Sequence, residues 1–156
     1  MSCMNNLLTR SNMKKILFLC THNSARSQMA EGLLRELGKD KYQVFSAGTE
    51  AAIVRPQAIA VMKELGIDIS HQRSKTFHRF FHENFDEVIT VCDQANESCP
   101  VFPNAQKRTH WSFPDPSKAE GTDEEIMSVY RKVRDSIKQK IKSELLTKKL
   151  VESKIL

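Results

Sequence analysis

The chain has 156 residues, of which 40% are hydrophobic and 28% charged, with a formal net charge of +5. That length suits one domain with a buried core; the composition excludes a low-complexity or collagen-like chain, and no apolar run approaches a membrane span. Residues 131–156 hold nine Lys/Arg against three Asp/Glu, so the basic surplus belongs to one C-terminal helical segment and reads as a solvated face rather than a nucleic-acid surface.

In chain order, the opening "MSCMNNLLTRSN" lacks a long apolar h-region and a small-residue cleavage site, which argues against secretion and for a cytoplasmic protein. Residues 1–12 read as an extension, disordered or translated from an upstream start, ahead of a domain covering 13–146. A basic tail, 147–156, closes the chain. The apolar runs "KILFLC" (15–20), "YQVFSAG" (42–48), "EVITVC" (87–92) and "RTHWSF" (108–113) predict strands. Helical periodicity predicts helices over 27–37, 55–65, 76–84 and 123–149. Gly38 and Gly66 fall where helix ends favour a left-handed residue, and Thr122 stands as N-cap before three acids of the last helix. Continuous apolar strands alternating with helices indicate a single-domain, three-layer α/β/α fold with a four-stranded parallel sheet. Binding sites in such folds lie at the carboxyl ends of strands, where Cys20 and Cys92 both stand.

The segment "CTHNSAR" joins the first strand to the first helix and has the form C-x5-R. A direct turn from strand into helix points successive backbone N–H groups inward and adds the positive end of the helix dipole, which together make a nest for a tetrahedral oxyanion. Thr21, His22, Asn23, Ser24, Ala25, Arg26 and Ser27 would line it. The Arg26 guanidinium can grip two anion oxygens, and the same charges are expected to lower the pKa of Cys20 and make it a nucleophile. The bland alternative is a small buried strand-end cysteine.

"FPDPSK" holds Asp115 between two prolines just past the fourth strand. It reads either as ordinary Asp-Pro turn chemistry or as a carboxyl held at the mouth of a site to protonate a departing oxygen. Cys92-x6-Cys99 lacks the spacing and the second pair of a zinc site. A redox relay fits it better: Cys92 would attack a Cys20 adduct and Cys99 would then attack Cys92. Two incidental cysteines remain the other reading. His78 and His82 are four apart with no third ligand in sight and read as surface or packed residues. Cys3 has no assigned role.

"LFLCTHNSARSQMAEGLLRE", with "SAGTE" at 46–50, "AVMKELGIDIS" at 60–70 and "HWSFPDPSKAEGT" at 110–122, resembles the low-molecular-weight tyrosine phosphatase fold, and within it the thioredoxin-coupled arsenate reductase branch. Gln28 after Arg-Ser and Ser117 after Asp-Pro favour that branch over the phosphatases. The resemblance runs from Lys14 to about Ile141. It implies arsenate as substrate, Cys20 as nucleophile, Asp115 as general acid and a Cys20–Cys92–Cys99 disulfide relay regenerated by thioredoxin, with no cofactor. His22 stands where relatives often have Gly, and Ala25 where some have Cys. Some members bind potassium with residues matching Asn23, Glu31 and Ser46 and an Asp; Lys75 stands at that fourth position, so no metal is expected. The alternatives are a phosphatase that hydrolyses phosphoesters with Cys20, Arg26 and Asp115, and a non-catalytic oxyanion-binding or redox-sensing module. Neither nucleic acid nor membrane is expected as a partner.

Overall fold

A computed structural model of the chain describes residues 13–93 and 102–146. Cys3, Cys99, the 1–12 extension and the 147–156 tail lie outside the described residues. Four strands, β1 (Lys14–Cys20), β2 (Tyr42–Gly48), β3 (Phe85–Thr90) and β4 (Ala105–His110), form one sheet in the order β2-β1-β3-β4. All three pairings are parallel, so the α/β reading with a four-stranded parallel sheet is borne out. The helices are α1 (Arg26–Leu37), α2 (Pro56–Lys63) and α3 (Asp123–Ile141). Among the described residues no helix is long and apolar enough to cross a membrane.

Alternation along β1 divides the core. Ile16, Phe18 and Cys20 face the helices, joining Met29, Leu33 and Leu34 of α1 and Val133, Ile137 and Ile141 of α3. Leu17 and Leu19 face the opposite side, with Phe80, Phe85, Val88 and Phe102. A 3-10 turn over Phe77–Phe80 supplies part of that cover, and edge-to-face contacts such as Phe80–Phe85, 6.2 Å between centroids, lock it. β1 is central and buried on both faces, as a continuous apolar run requires.

Several element boundaries differ from the sequence reading, the helix expected over 55–65 among them, which spans Pro56–Lys63. β4 lies three residues earlier than 108–113, because its pairing begins at Phe85↔Ala105 while Trp111 leaves the ladder to pack in the core. β3 likewise starts at Phe85 rather than residue 87. The periodicity over 76–84 yields only the single 3-10 turn. The last helix stops at Ile141 and widens into a turn over Lys142–Leu146, where the Tyr42 hydroxyl donates to the Leu145 carbonyl at 2.7 Å. Thr122 caps α3 as expected, its Oγ1 accepting from the Glu125 amide at 3.2 Å. Gly66 (φ +77) closes α2 with bonds from its own N–H to Lys63 O and from Ile67 N–H to Met62 O, the paired Schellman arrangement. Gly38 ends α1 at φ −116, outside the left-handed region.

Candidate active site

β1 delivers Cys20 at its carboxyl end, and α1 begins at Arg26 with no side-chain cap. The carbonyls of the intervening loop are turned outward and occupied. Cys20 O accepts from Thr49 N (3.2 Å), Thr21 O from Glu50 N (2.9 Å), Ser24 O from Arg55 N (2.8 Å) and Ala25 O from Met29 N (2.9 Å). His22 O accepts from Ser74 Oγ at 2.8 Å and Asn23 O from Gln28 Nε2 at 3.0 Å. With its carbonyls committed outside, the loop presents its amides to the interior of the turn, which is the geometry of an anion nest. Gly48, at the end of β2, makes room for it: a Cβ there would stand 2.7 Å from Thr21 O and 2.9 Å from Asn23 N.

Asn23 is the loop's keystone, fully buried and in the left-handed region at φ +50. Its Nδ2 donates to Ser27 Oγ (2.8 Å) and Ser46 Oγ (3.0 Å). Its Oδ1 accepts from Gln28 Nε2 (2.9 Å) and from the Lys75 amide (3.0 Å). Beneath it Ser46 Oγ donates to Glu31 Oε1 at 2.9 Å, and the Lys75 ammonium stands 3.9 Å from the same oxygen. Gln72 Nε2 bonds Gln28 Oε1 at 2.7 Å, tying the segment after Ile69 to α1. Among the described residues no three His, Cys, Asp or Glu side chains are grouped to hold a metal.

Arg26 is buried, and its guanidinium reaches the loop past β4: Nη1 donates to Phe113 O at 3.1 Å, and Nη2 lies 3.5 Å from Asp115 Oδ2. The structure therefore brings Asp115 to the mouth of the Cys20 loop. Asp115 also accepts at Oδ1 from Ser117 Oγ (2.7 Å) and Ser117 N (3.0 Å), capping a 3-10 turn over Pro116–Lys118. Burial works to raise its pKa, but the two Ser117 bonds with Arg26 and Lys118 outweigh it and hold the carboxyl below its ordinary value. The turn reading of the Asp-Pro pair is thus borne out, and the same carboxylate faces Arg26 of the Cys20 loop.

Cys92 follows β3 and is buried beside Cys20, and both are reduced. Its sulfur lies 3.2 Å from Thr21 Oγ1. The hydrogen bond with Cys92, and then burial, push the Cys20 thiol above its ordinary pKa, while Arg26 and the Thr21 amide pull it down. The lowered pKa expected from the loop charges alone is corrected here: a second buried thiol in contact makes formation of a thiolate at Cys20 harder. Just beyond, Asp93 Oδ1 contacts His110 Nε2 (2.9 Å) and accepts from Ser112 Oγ (3.1 Å), pinning the residue after Cys92 to the end of β4.

Thiol, outward-facing loop carbonyls, buried arginine and facing carboxylate define a class: an α/β protein with a thiol-based oxyanion cradle on its first strand–helix turn. The family model for low molecular weight phosphotyrosine protein phosphatases matches residues 15–154, and the chain belongs to that family. It is 51% identical over 132 residues to an arsenate reductase of Halalkalibacterium halodurans, covering 85% of this chain and 95% of the relative. An arsenate reductase of Bacillus subtilis is 46% identical over 129 residues, covering 83% and 93%. Among solved structures, an arsenate reductase in the phosphate binding state superposes with a TM-score of 0.70 at 37% identity, covering 84% of this chain and 95% of that one. An arsenate reductase in oxidized state gives 0.72 at 36% identity, with the same coverage.

Of the residues singled out from sequence, Cys20, Arg26, Cys92 and Asp115 converge. His22 is exposed, with Nδ1 3.5 Å from Glu50 Oε2, and His78 is an exposed residue stacked on Phe77. Sequence reasoning missed Gln28 and Gln72 as supports of the loop, and the Asp93–His110–Ser112 clasp. A signal existed for the first: Gln28 and Glu31 are polar residues three apart in the first turns of a helix whose opening nine residues are all buried.

Proposed function

We propose that the chain reduces arsenate to arsenite. The observation that carries this reading is the buried Cys20–Cys92 contact at the mouth of the loop, since hydrolysis of a phosphoester needs one thiol and a reduction needs two. Arsenate sits in the 21–27 nest with two oxygens on Arg26. Cys20, as thiolate, attacks arsenic and forms an S–As bond; a hydroxide leaves and takes a proton, becoming water, with Asp115 as the donor. The proton is the one that the Cys20 thiol gives up on becoming a thiolate, relayed through Asp115 to the departing oxygen. Cys92 then attacks the Cys20 sulfur. The S–S bond forms as the S–As bond breaks, and its electron pair stays on arsenic, which leaves as arsenite. Cys99 attacks Cys92, releasing Cys20 as thiolate and leaving a Cys92–Cys99 disulfide. Thioredoxin reduces that disulfide in the cytoplasm, supplying the two electrons.

The names of the relatives support the reaction and the geometry supports the first two thiols. The test is oxidation of NADPH by thioredoxin reductase and thioredoxin on addition of arsenate. Wild type should consume NADPH in an arsenate-dependent manner and Cys92→Ser should not. Arsenate-independent consumption, or full turnover by Cys92→Ser, overturns the scheme. A phosphoester entering the same nest has no accessible reduction, so hydrolysis of an aryl phosphate is expected only as a side activity that Cys92→Ser retains.

A further inference from the structure

On the far side of Glu31 from the loop lies a separate pocket of about 350 Å³, floored by Val44, Phe45 and Phe80 and walled by Arg35, Arg73, Lys75 and Arg79. Among the described residues Glu31 is its one carboxylate. Arg35 reaches Glu31 Oε2 at 3.2 Å and Lys75 reaches Oε1 at 3.9 Å. Among the described residues neither Arg73 nor Arg79 pairs with a carboxylate; Arg79 lies over the Phe80 ring, 5.6 Å from its centroid. Four cations against one anion leave three positive charges around a partly enclosed volume. Lys75 registers the crowding: burial lowers its pKa, and Arg79 and Arg35 lower it further against the pull of Glu31. His71 stands at the rim. Like charges gathered around one open pocket raise the local positive potential and attract an anion, and guanidinium forks suit phosphate oxygens.

We propose that this pocket is a second anion site, taking a small phosphate-class ligand with at least two negative charges. The volume falls in the range of small-ligand sites and exceeds what one inorganic oxyanion fills, which favours a ligand with two linked phosphate groups or a phosphate on an organic body. Occupancy reaches the Cys20 loop by a short path. A ligand that draws Lys75 or Arg35 off Glu31 changes the carboxylate to which Ser46 donates, and Ser46 accepts from Asn23. The site therefore tunes the loop without touching substrate.

Calorimetric titration with pyrophosphate tests this without any turnover. Wild type should bind two equivalents, one in the loop and one in the pocket. Arg26→Ala should lose the loop equivalent and keep the other; Arg73→Gln/Arg79→Gln should lose the pocket equivalent and keep the loop. Arg73 and Arg79 are exposed, so an unchanged thermal midpoint is expected, and Arg79→Gln alone should weaken the pocket about fivefold. One equivalent in wild type that Arg73→Gln/Arg79→Gln keeps, or two that survive removal of both arginines, overturns the proposal. Neither result bears on arsenate reduction, which the NADPH assay reads separately.

Discussion

Replacing Asn23 by alanine tests whether one side chain holds the oxyanion loop. The amide makes four hydrogen bonds from a fully buried position. Truncation leaves the Lys75 N–H without its acceptor, which costs about 1–3 kcal/mol. Gln28 Nε2 loses less, because it still donates to Asn23 O and Arg73 O. The backbone at φ +50 adds about 1–2 kcal/mol once an alanine must occupy it, since asparagine tolerates that region and alanine does not. The expected loss is about 2–5 kcal/mol, read by urea denaturation with an unchanged m-value. Asn23→Gly separates the two causes: it should recover about 1 kcal/mol of the backbone cost and none of the hydrogen bonds. Both variants should bind phosphate more than tenfold more weakly. A loss under about 1 kcal/mol in Asn23→Ala, or a glycine variant less stable than the alanine one, would refute the keystone assignment.

Cys92→Ala removes the largest influence raising the Cys20 pKa, so the pH midpoint for alkylation of Cys20 by iodoacetamide should move down; an upward shift would mean that Cys92 helps the thiolate form. Tyr42→Phe leaves the Leu145 carbonyl without the buried hydroxyl that donates to it at 2.7 Å, and should lower stability by about 1–2 kcal/mol in thermal or urea melts. Asp115 has a folded pKa below its unfolded one, so its contribution is complete above the ordinary Asp value of about 3.9 and is lost as pH falls through the folded value. Thermal midpoints of wild type and Asp115→Asn should therefore differ at pH 6 and converge in strong acid, whereas a gap that persists there would count against the Arg26 and Ser117 contacts as its source.

β1 was legible because burial on both faces leaves an unbroken apolar run, and "KILFLC" lies inside it; β2, at one edge of the sheet, matches "YQVFSAG" end to end because five of its seven residues are still buried. β4 was misplaced because an edge strand need not be apolar. Its residues "AQKRTH" are mostly exposed, while the apolar Trp111 and Phe113 that attracted the strand assignment lie beyond it. The turn at Phe77–Phe80 imitates a helix in periodicity because its phenylalanines serve the sheet's second face rather than a helical stripe. At the site, the thiol and arginine were legible through chemistry, since few residue types stabilise an oxyanion beside a nucleophile. The supports were not. Gln72 and Lys75 meet the loop only because the chain returns some fifty residues later, and pairing of that range leaves no local pattern. The pKa of Cys20 was misjudged for the same reason, its dominant neighbour being 72 positions away.

β1 and β3 are adjacent in the sheet, with Leu19 paired to Thr90 and the Val91 amide bonded to Leu19 O at 2.8 Å. Two neighbouring ladder rungs thus fix where the strand ends release Cys20 and Cys92. In the proposed relay the first two sulfurs meet through backbone hydrogen bonding rather than through a search by a loop, which gives their encounter the high effective molarity of an intramolecular reaction already aligned. Insertion of one residue between Val88 and Cys92 would flip the second thiol to the opposite face of the sheet. The spacing of that strand is therefore as much a part of the chemistry as the cysteines at its end.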